Sequence, residues 1–239
     1  MNRKLTTAGL VAALTMLGFV ASAGAVDGVI EINQAKVMAA GGFPYVITST
    51  GSYRLTSNLT VSAASTDAID VNAPSVTIDL NGFSIFSFVA TSANAISGSY
   101  SGTTVENGTV TAFGRGVNIG AQSIVRNVHA DSNSNVGIGV GANSVVQGCT
   151  ANLNSNYGIV GTAAGDMISG NTANGNTGVG VGIFVEGRTG LVIGNTATGN
   201  LADDLVCNFT SVGYRENVLS GNISGCTSLG NNLCNNNPC

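Results

Sequence analysis

Between residues 104 and 226 the apolar positions come in short alternating runs broken by polar bends, and the whole unit returns roughly every twenty-two residues. Turn-forming pairs mark the phase at Asn107-Gly108, Asn127-Val128, Gly148-Cys149, Gly170-Asn171, Gly194-Asn195 and Gly221-Asn222, in steps of 20, 21, 22, 24 and 27. A unit of this length, rich in Val, Ile, Thr, Asn and Gly and without internal proline, predicts one coil of a parallel β-solenoid. Asn and Gly recur at the bends because a sharp turn between strands needs a left-handed residue, which these two tolerate best.

Aligned on those pairs, the columns separate into inside and outside. Val105, Val125, Val146, Ile168, Val192 and Leu219 form one expected inward file, and Val110, Ala130, Ala151, Ala173 and Ala197 form a second, smaller one. Between the pair and the small file lie Thr109, His129, Thr150, Thr172 and Thr196, which the period of two turns outward. A second strand in each coil carries Val117/Ile119, Ile138/Val140, Ile159, Ile183/Val185 and Leu205, announced by Gly116, Gly137, Gly158 or Gly182. Asn133, Asn154, Asn176 and Asn200, in steps of 21, 22 and 24, predict an asparagine ladder passing amide hydrogen bonds from coil to coil.

Upstream, Val76 to Ile85 has the same strand–turn–strand form around Asn81-Gly82, and segments 45–61 and 67–72 read as earlier coils. The expected organisation is a signal segment at 1–25, an N-terminal cap at 26–44 with helical turns between Asn33 and Ala40, a solenoid at 45–225, and a Cys/Asn-rich cap at 226–239. An end cap is needed because an open solenoid exposes a full rung of unpaired backbone.

These columns resemble the right-handed parallel β-helix proteins of the pectin-lyase-like superfamily over about residues 45–225. Coil lengths of 20 to 27 do not fit the rigid hexapeptide helix or the calcium-binding nonapeptide roll. The resemblance implies an all-β, right-handed parallel β-helix. It leaves activity open, since the superfamily holds polysaccharide lyases and glycosidases as well as tailspikes, adhesins and non-catalytic exported proteins.

Composition adds a compartment. Arg3 and Lys4 precede an uncharged run to Val20 and the small-residue stretch Ala21 to Ala25, the pattern of a cleaved secretory signal. Its apolar core is short for a membrane span, and no other stretch reaches the ~20 apolar residues a span requires. Cleavage removes two of the eight Lys/Arg and none of the twelve Asp/Glu, leaving six against twelve and a net charge of −6. A sparse acidic surface points away from nucleic acid and anionic membranes. Cys207, Cys226, Cys234 and Cys239 crowd the C-terminal end, where an exported protein would form two disulfides. Four cysteines allow three pairings; Cys207–Cys226 with Cys234–Cys239 is the working expectation, which leaves Cys149 a lone, partly buried thiol at a turn.

Candidate chemistry is thin. Acid–base cleavage of a glycosidic bond needs two carboxyls on one groove, and the only adjacent acids in the repeats are Asp203 and Asp204. Neighbours on a strand face opposite ways, and Asp204 takes the place of the strand-leading glycines, so both read first as structural. His129, the single histidine, shares an outward face with Asp131 as a second weak acid/base pair. Glu106 and Arg126 occupy one column on successive coils as a register-marking pair. A thirteen-residue step from Val206 to Leu219, against six from Ile119 to Val125, predicts a lengthened loop beside the last coils. Its Tyr214 and Arg215, with Glu186 and Arg188 one coil earlier, form the expected sugar-contact patch. No metal site and no cofactor are expected. The sequence thus favours an exported glycan-binding or structural module, with a polysaccharide lyase or glycoside hydrolase of reduced acidic site as the alternative.

Overall fold

Bends recur along the chain because residues that accept a left-handed backbone recur. In the computed structural model, which describes residues 28–89, 91–235 and 237–239, positive φ returns at Asn107, Asn127, Gly148, Gly170, Gly194, Glu216 and Asn231. A second corner repeats at Ala112, Ser132, Leu153, Gly175 and Gly199, and a third at Gly102, Gln122, Asn143 and Gly165. Three corners per coil give an all-β parallel solenoid of about nine turns. The expected signal segment 1–25 lies outside the described residues.

Two long parallel sheets carry the coils. The first has twelve strands and runs from Val29–Ile32 through Thr104–Thr111 and Ile124–Asp131 to Thr227–Ser228. The second has nine, from Tyr45–Ile47 through Arg115–Ile119, Val136–Val140, Tyr157–Gly161 and Val181–Val185 to Asn222–Ser224. A third sheet of four covers the C-terminal end, where Leu233–Cys234 and Asn237–Pro238 close it with an antiparallel pair. At the other end a single short helix, Gln34–Ala39, is capped by Asn33, whose side-chain oxygen accepts from the Lys36 amide at 2.9 Å, and seats Val37 in the core. It is the only helix among the described residues.

The inward file is as expected over five coils, with Val105, Val125, Val146, Ile168 and Val192 in register on neighbouring strands. It then departs from expectation. Val192 pairs with Tyr214, and Leu219 pairs with Ala197 in the small file. The reason lies at the bend: Glu216 takes the left-handed corner at φ 59°, and Asn217, not Asn222, supplies the ladder amide. Gly194 to Glu216 is then an ordinary coil, and the lengthened loop of the sequence reading does not exist.

Polar ladders run inside the corners. Asn133, Asn154, Asn176 and Asn200 link amide to carbonyl at 2.8–3.2 Å, and the first three are fully buried. Asn171, Asn195, Asn217 and Asn232 form a second buried ladder, each accepting the backbone N–H of the residue one coil before, with Cys149 as the first donor. Every such bond contributes about 1 kcal/mol net, while an orphaned buried amide costs about 1–3 kcal/mol, so ladders hold register more than they add stability. Disulfides Cys207–Cys226 and Cys234–Cys239 tie down the last coils. Cys149 is free and buried, and burial pushes its thiol pKa up to about 11.

Candidate functional site

The strands of the second sheet have an unusual rhythm that builds an outer face. In Arg115–Ile119 the second, third and fifth residues are buried while Arg115 and Asn118 look outward, and Asp203–Cys207 repeats that pattern. On the coils between, the equivalent positions hold Tyr157 and Phe184, which are part-exposed, and Val136, Val160 and Val181, which their neighbours cover. Two outward files result. One is Ser97, Asn118, Gly139, Val160 and Phe184, and the other is Asn94, Arg115, Val136, Tyr157 and Val181.

A glycine in the first file opens a gap. A Cβ on Gly139 would press on Asn118 Oδ1 at 3.3 Å and otherwise meet only the Val117 carbonyl at 3.8 Å, so the missing side chain leaves room beside Asn118. On one side of the gap Arg115 donates from Nη1 to Asn118 Oδ1 at 3.1 Å. On the other, Tyr157 and Phe184 stack with ring centroids 5.3 Å apart and planes 18° from parallel. These groups, with Glu186 at the far rim, enclose a cavity of about 240 Å³. A second, more polar trough of about 460 Å³ continues from it past Ser97 to Asp70 and Asn72, sharing Asn118 and Thr162 with the first. Chemically the pair offers aromatic surface and the Glu186 carboxylate at one end and amides, hydroxyls and the Asp70 carboxylate at the other.

The sequence-predicted residues distribute differently. Asp204 is fully buried, and its carboxylate accepts from Asn200 Nδ2 at 2.7 Å, from the Ser220 amide at 2.6 Å and from the Gly221 amide. It ends the asparagine ladder and anchors the following turn, while Asp203 faces outward on the same strand. His129 Nδ1 lies 2.8 Å from Thr150 Oγ1, which in turn lies 3.3 Å from Asp131 Oδ2. Histidine and acid therefore meet through a threonine hydroxyl, and Asp131 Oδ1 also accepts from the Asn152 amide at 2.7 Å. Glu106 pairs with Arg126 across one rung, as the column predicted.

The expected sugar-contact patch divides. Glu186 is exposed on the rim of the groove. Arg188 lies over the Phe209 ring at 5.4 Å on a separate loop. Tyr214 is a correction: it is 7% exposed and packed in the core, because the true register puts it in the inward file, so its ring is not a contact surface. Arg215, next on that strand, is exposed. Tyr157, Phe184, Arg115, Asn118 and Gly139 were not singled out in the sequence. Aligning the outward position between the paired inward Val/Ile of each second strand would have brought Asn118, Gly139, Val160 and Phe184 into one column.

Among the described residues no cluster of three or more His, Cys, Asp or Glu is placed to hold a metal ion, and no helix is long and apolar enough to cross a membrane. In comparisons with known proteins, no protein family, no curated protein and no solved structure matches the chain.

Proposed function

We propose that this chain is an exported glycan-binding module that holds carbohydrate on the outer face of its second sheet and does not cleave it. One observation carries the reading: a preformed trough over Gly139 with the stacked Tyr157–Phe184 pair on one wall and Arg115–Asn118 on the other. Sugars are recognised by this combination, an apolar ring face against aromatic surface with hydroxyls hydrogen-bonded at the rim. Two disulfides fit an oxidising compartment outside the cytoplasm, in keeping with the signal-like segment at 1–25. The coil pattern that resembles the pectin-lyase-like superfamily supports the same extracytoplasmic setting.

The non-catalytic part rests on how the acids are used. Asp204 is consumed by backbone amides and Asp131 by Asn152 and Thr150. Asp67 is held by the Asn94 amide, the Asn94 side chain and the Ser97 hydroxyl. The rim acids Asp70 and Glu186 stand five strands apart along the second sheet, a span of about 24 Å at the ~4.8 Å strand spacing, where cleavage needs roughly 5–10 Å. The His129–Thr150–Asp131 contact is what favours the enzyme alternative, a lyase or glycosidase of reduced site. A glycan array on the mature protein, followed by product analysis on each hit, tests both. Binding without product is the expected result. Turnover abolished by Asp131→Asn or His129→Ala in a folded protein would establish the enzyme instead.

A further inference from the structure

We infer that the groove takes a neutral, linear oligosaccharide lying along the solenoid axis, an inference that rests on the glycan-binding reading and gives it a substrate class. Length comes from the topology. The two troughs share Asn118 and Thr162 and so adjoin, and taken end to end as one channel they cross the strands from Ile69–Val71 to Val181–Val185. Six parallel strands at ~4.8 Å give a channel of about 24 Å, room for roughly four to five pyranose rings in file at ~5 Å each. A single terminal sugar would fill only the part over Gly139.

Neutrality comes from charge. Arg115 is the one cation among the channel's described lining residues, and its guanidinium already gives one N–H to Asn118. Against it stand Glu186 at one end and Asp70 at the other. Behind the lining, Asp67 adds negative charge next to Ser97, whose hydroxyl donates to its Oδ2 at 2.6 Å. A polyuronate threaded through would bring its carboxylates against Asp70 and Glu186, a like-charge placement that rejects such a chain. Carboxylates and amides of this kind instead accept and donate to sugar hydroxyls. Tyr157 and Phe184 supply the stacking surface at one end, which also gives the bound chain a direction.

The experiment is calorimetric titration of the full protein with neutral linear hexasaccharides (β-1,4-, β-1,3- and α-1,4-glucans), the matching disaccharides, and hexagalacturonate. Variants are Tyr157→Ala, which removes stacking, and Gly139→Leu, which fills the channel from the solvent side without entering the core. Circular dichroism checks the fold of each. One neutral hexasaccharide should bind, with affinity about tenfold or more above its disaccharide and above hexagalacturonate, a difference of about 1.4 kcal/mol or more. Both variants should weaken it by about tenfold or more. Binding of a neutral hexasaccharide that neither folded variant changes removes the groove as the site while the glycan-binding reading stands. Tighter binding of hexagalacturonate, lost in Gly139→Leu, keeps the groove and overturns the neutral class. Equal affinity for disaccharide and hexasaccharide overturns the extended mode. Binding of no glycan here or on the array overturns both this inference and the reading beneath it.

Discussion

Asp166 is 2% exposed, and only its Oδ1 has a clear hydrogen-bond partner, the Ser144 amide at 2.9 Å. Gly161 makes room for the carboxylate, because a Cβ there would come within 2.6 Å of Oδ2. Burial pushes its pKa up from 3.8 to about 6, against weaker favourable amides of Ser144 and Ala163. An acid whose folded pKa is raised binds its proton more tightly in the native state. Its contribution is therefore complete below the unfolded pKa and is lost as pH rises from 3.8 to about 6. Asp166→Asn should remove that dependence and stabilise the protein above about pH 6 by up to about 3 kcal/mol, with little effect near pH 4. Denaturant titrations at several pH values check this, and a wild type whose stability is flat from about pH 4 to 7 contradicts it. Asn154 tests the ladders from the other side. Asn154→Ala orphans both the backbone N–H and the side-chain amide of Asn133, and a loss of about 2–4 kcal/mol is expected. A change below about 0.5 kcal/mol would mean that water replaces the ladder. Asn154 was readable as a ladder member because its turn chemistry repeats in phase. Asp166 was not, since it occupies a column that other coils fill with Ser123 and Ser144 and no second aspartate repeats there.

At the scale of elements, the coils are interchangeable units whose order is set by stacking, so the ends matter most. Cys207–Cys226 fixes the strand Asp203–Cys207 to the segment that follows Asn222–Ser224, the edge strand of the second sheet. Closing a loop of this size constrains the unfolded chain by about 3 kcal/mol. Replacing both cysteines by serine should lower protection from hydrogen exchange in the coils after Asp203 and leave the strands from Arg115 to Val160 unchanged. Uniform loss of protection along the chain would show instead that the solenoid unfolds as one unit. The inward files were legible through five coils because Val, Ile and Ala repeat at fixed offsets from a bend. They failed at Leu219 for a local reason: a glutamate took the left-handed corner, and Gly221-Asn222 imitated the marker five residues too late. The supposed long loop, and with it Tyr214 as a sugar contact, followed from that single slip.

For the whole molecule, a rigid stack of parallel strands turns outward side chains into continuous surfaces, and the second sheet uses this to make a channel. The solenoid's shape was written in the repeat, but the channel was not, since an outer face carries no demand to repeat. Asn118, Gly139, Val160 and Phe184 share no residue type, so no repeated chemistry marks their column. Only their register, fixed by the core behind them, brings them together. Amide-resolved NMR titration of the labelled mature protein with the strongest glycan from the array locates the bound sugar residue by residue. The largest shifts should fall in Arg115–Ile119, Val136–Val140, Tyr157–Gly161 and Val181–Val185, with no new reducing-end sugar signals during the titration. Shifts centred instead on His129 to Asp131 or on the Arg188–Phe209 loop, or the growth of product signals, would contradict it.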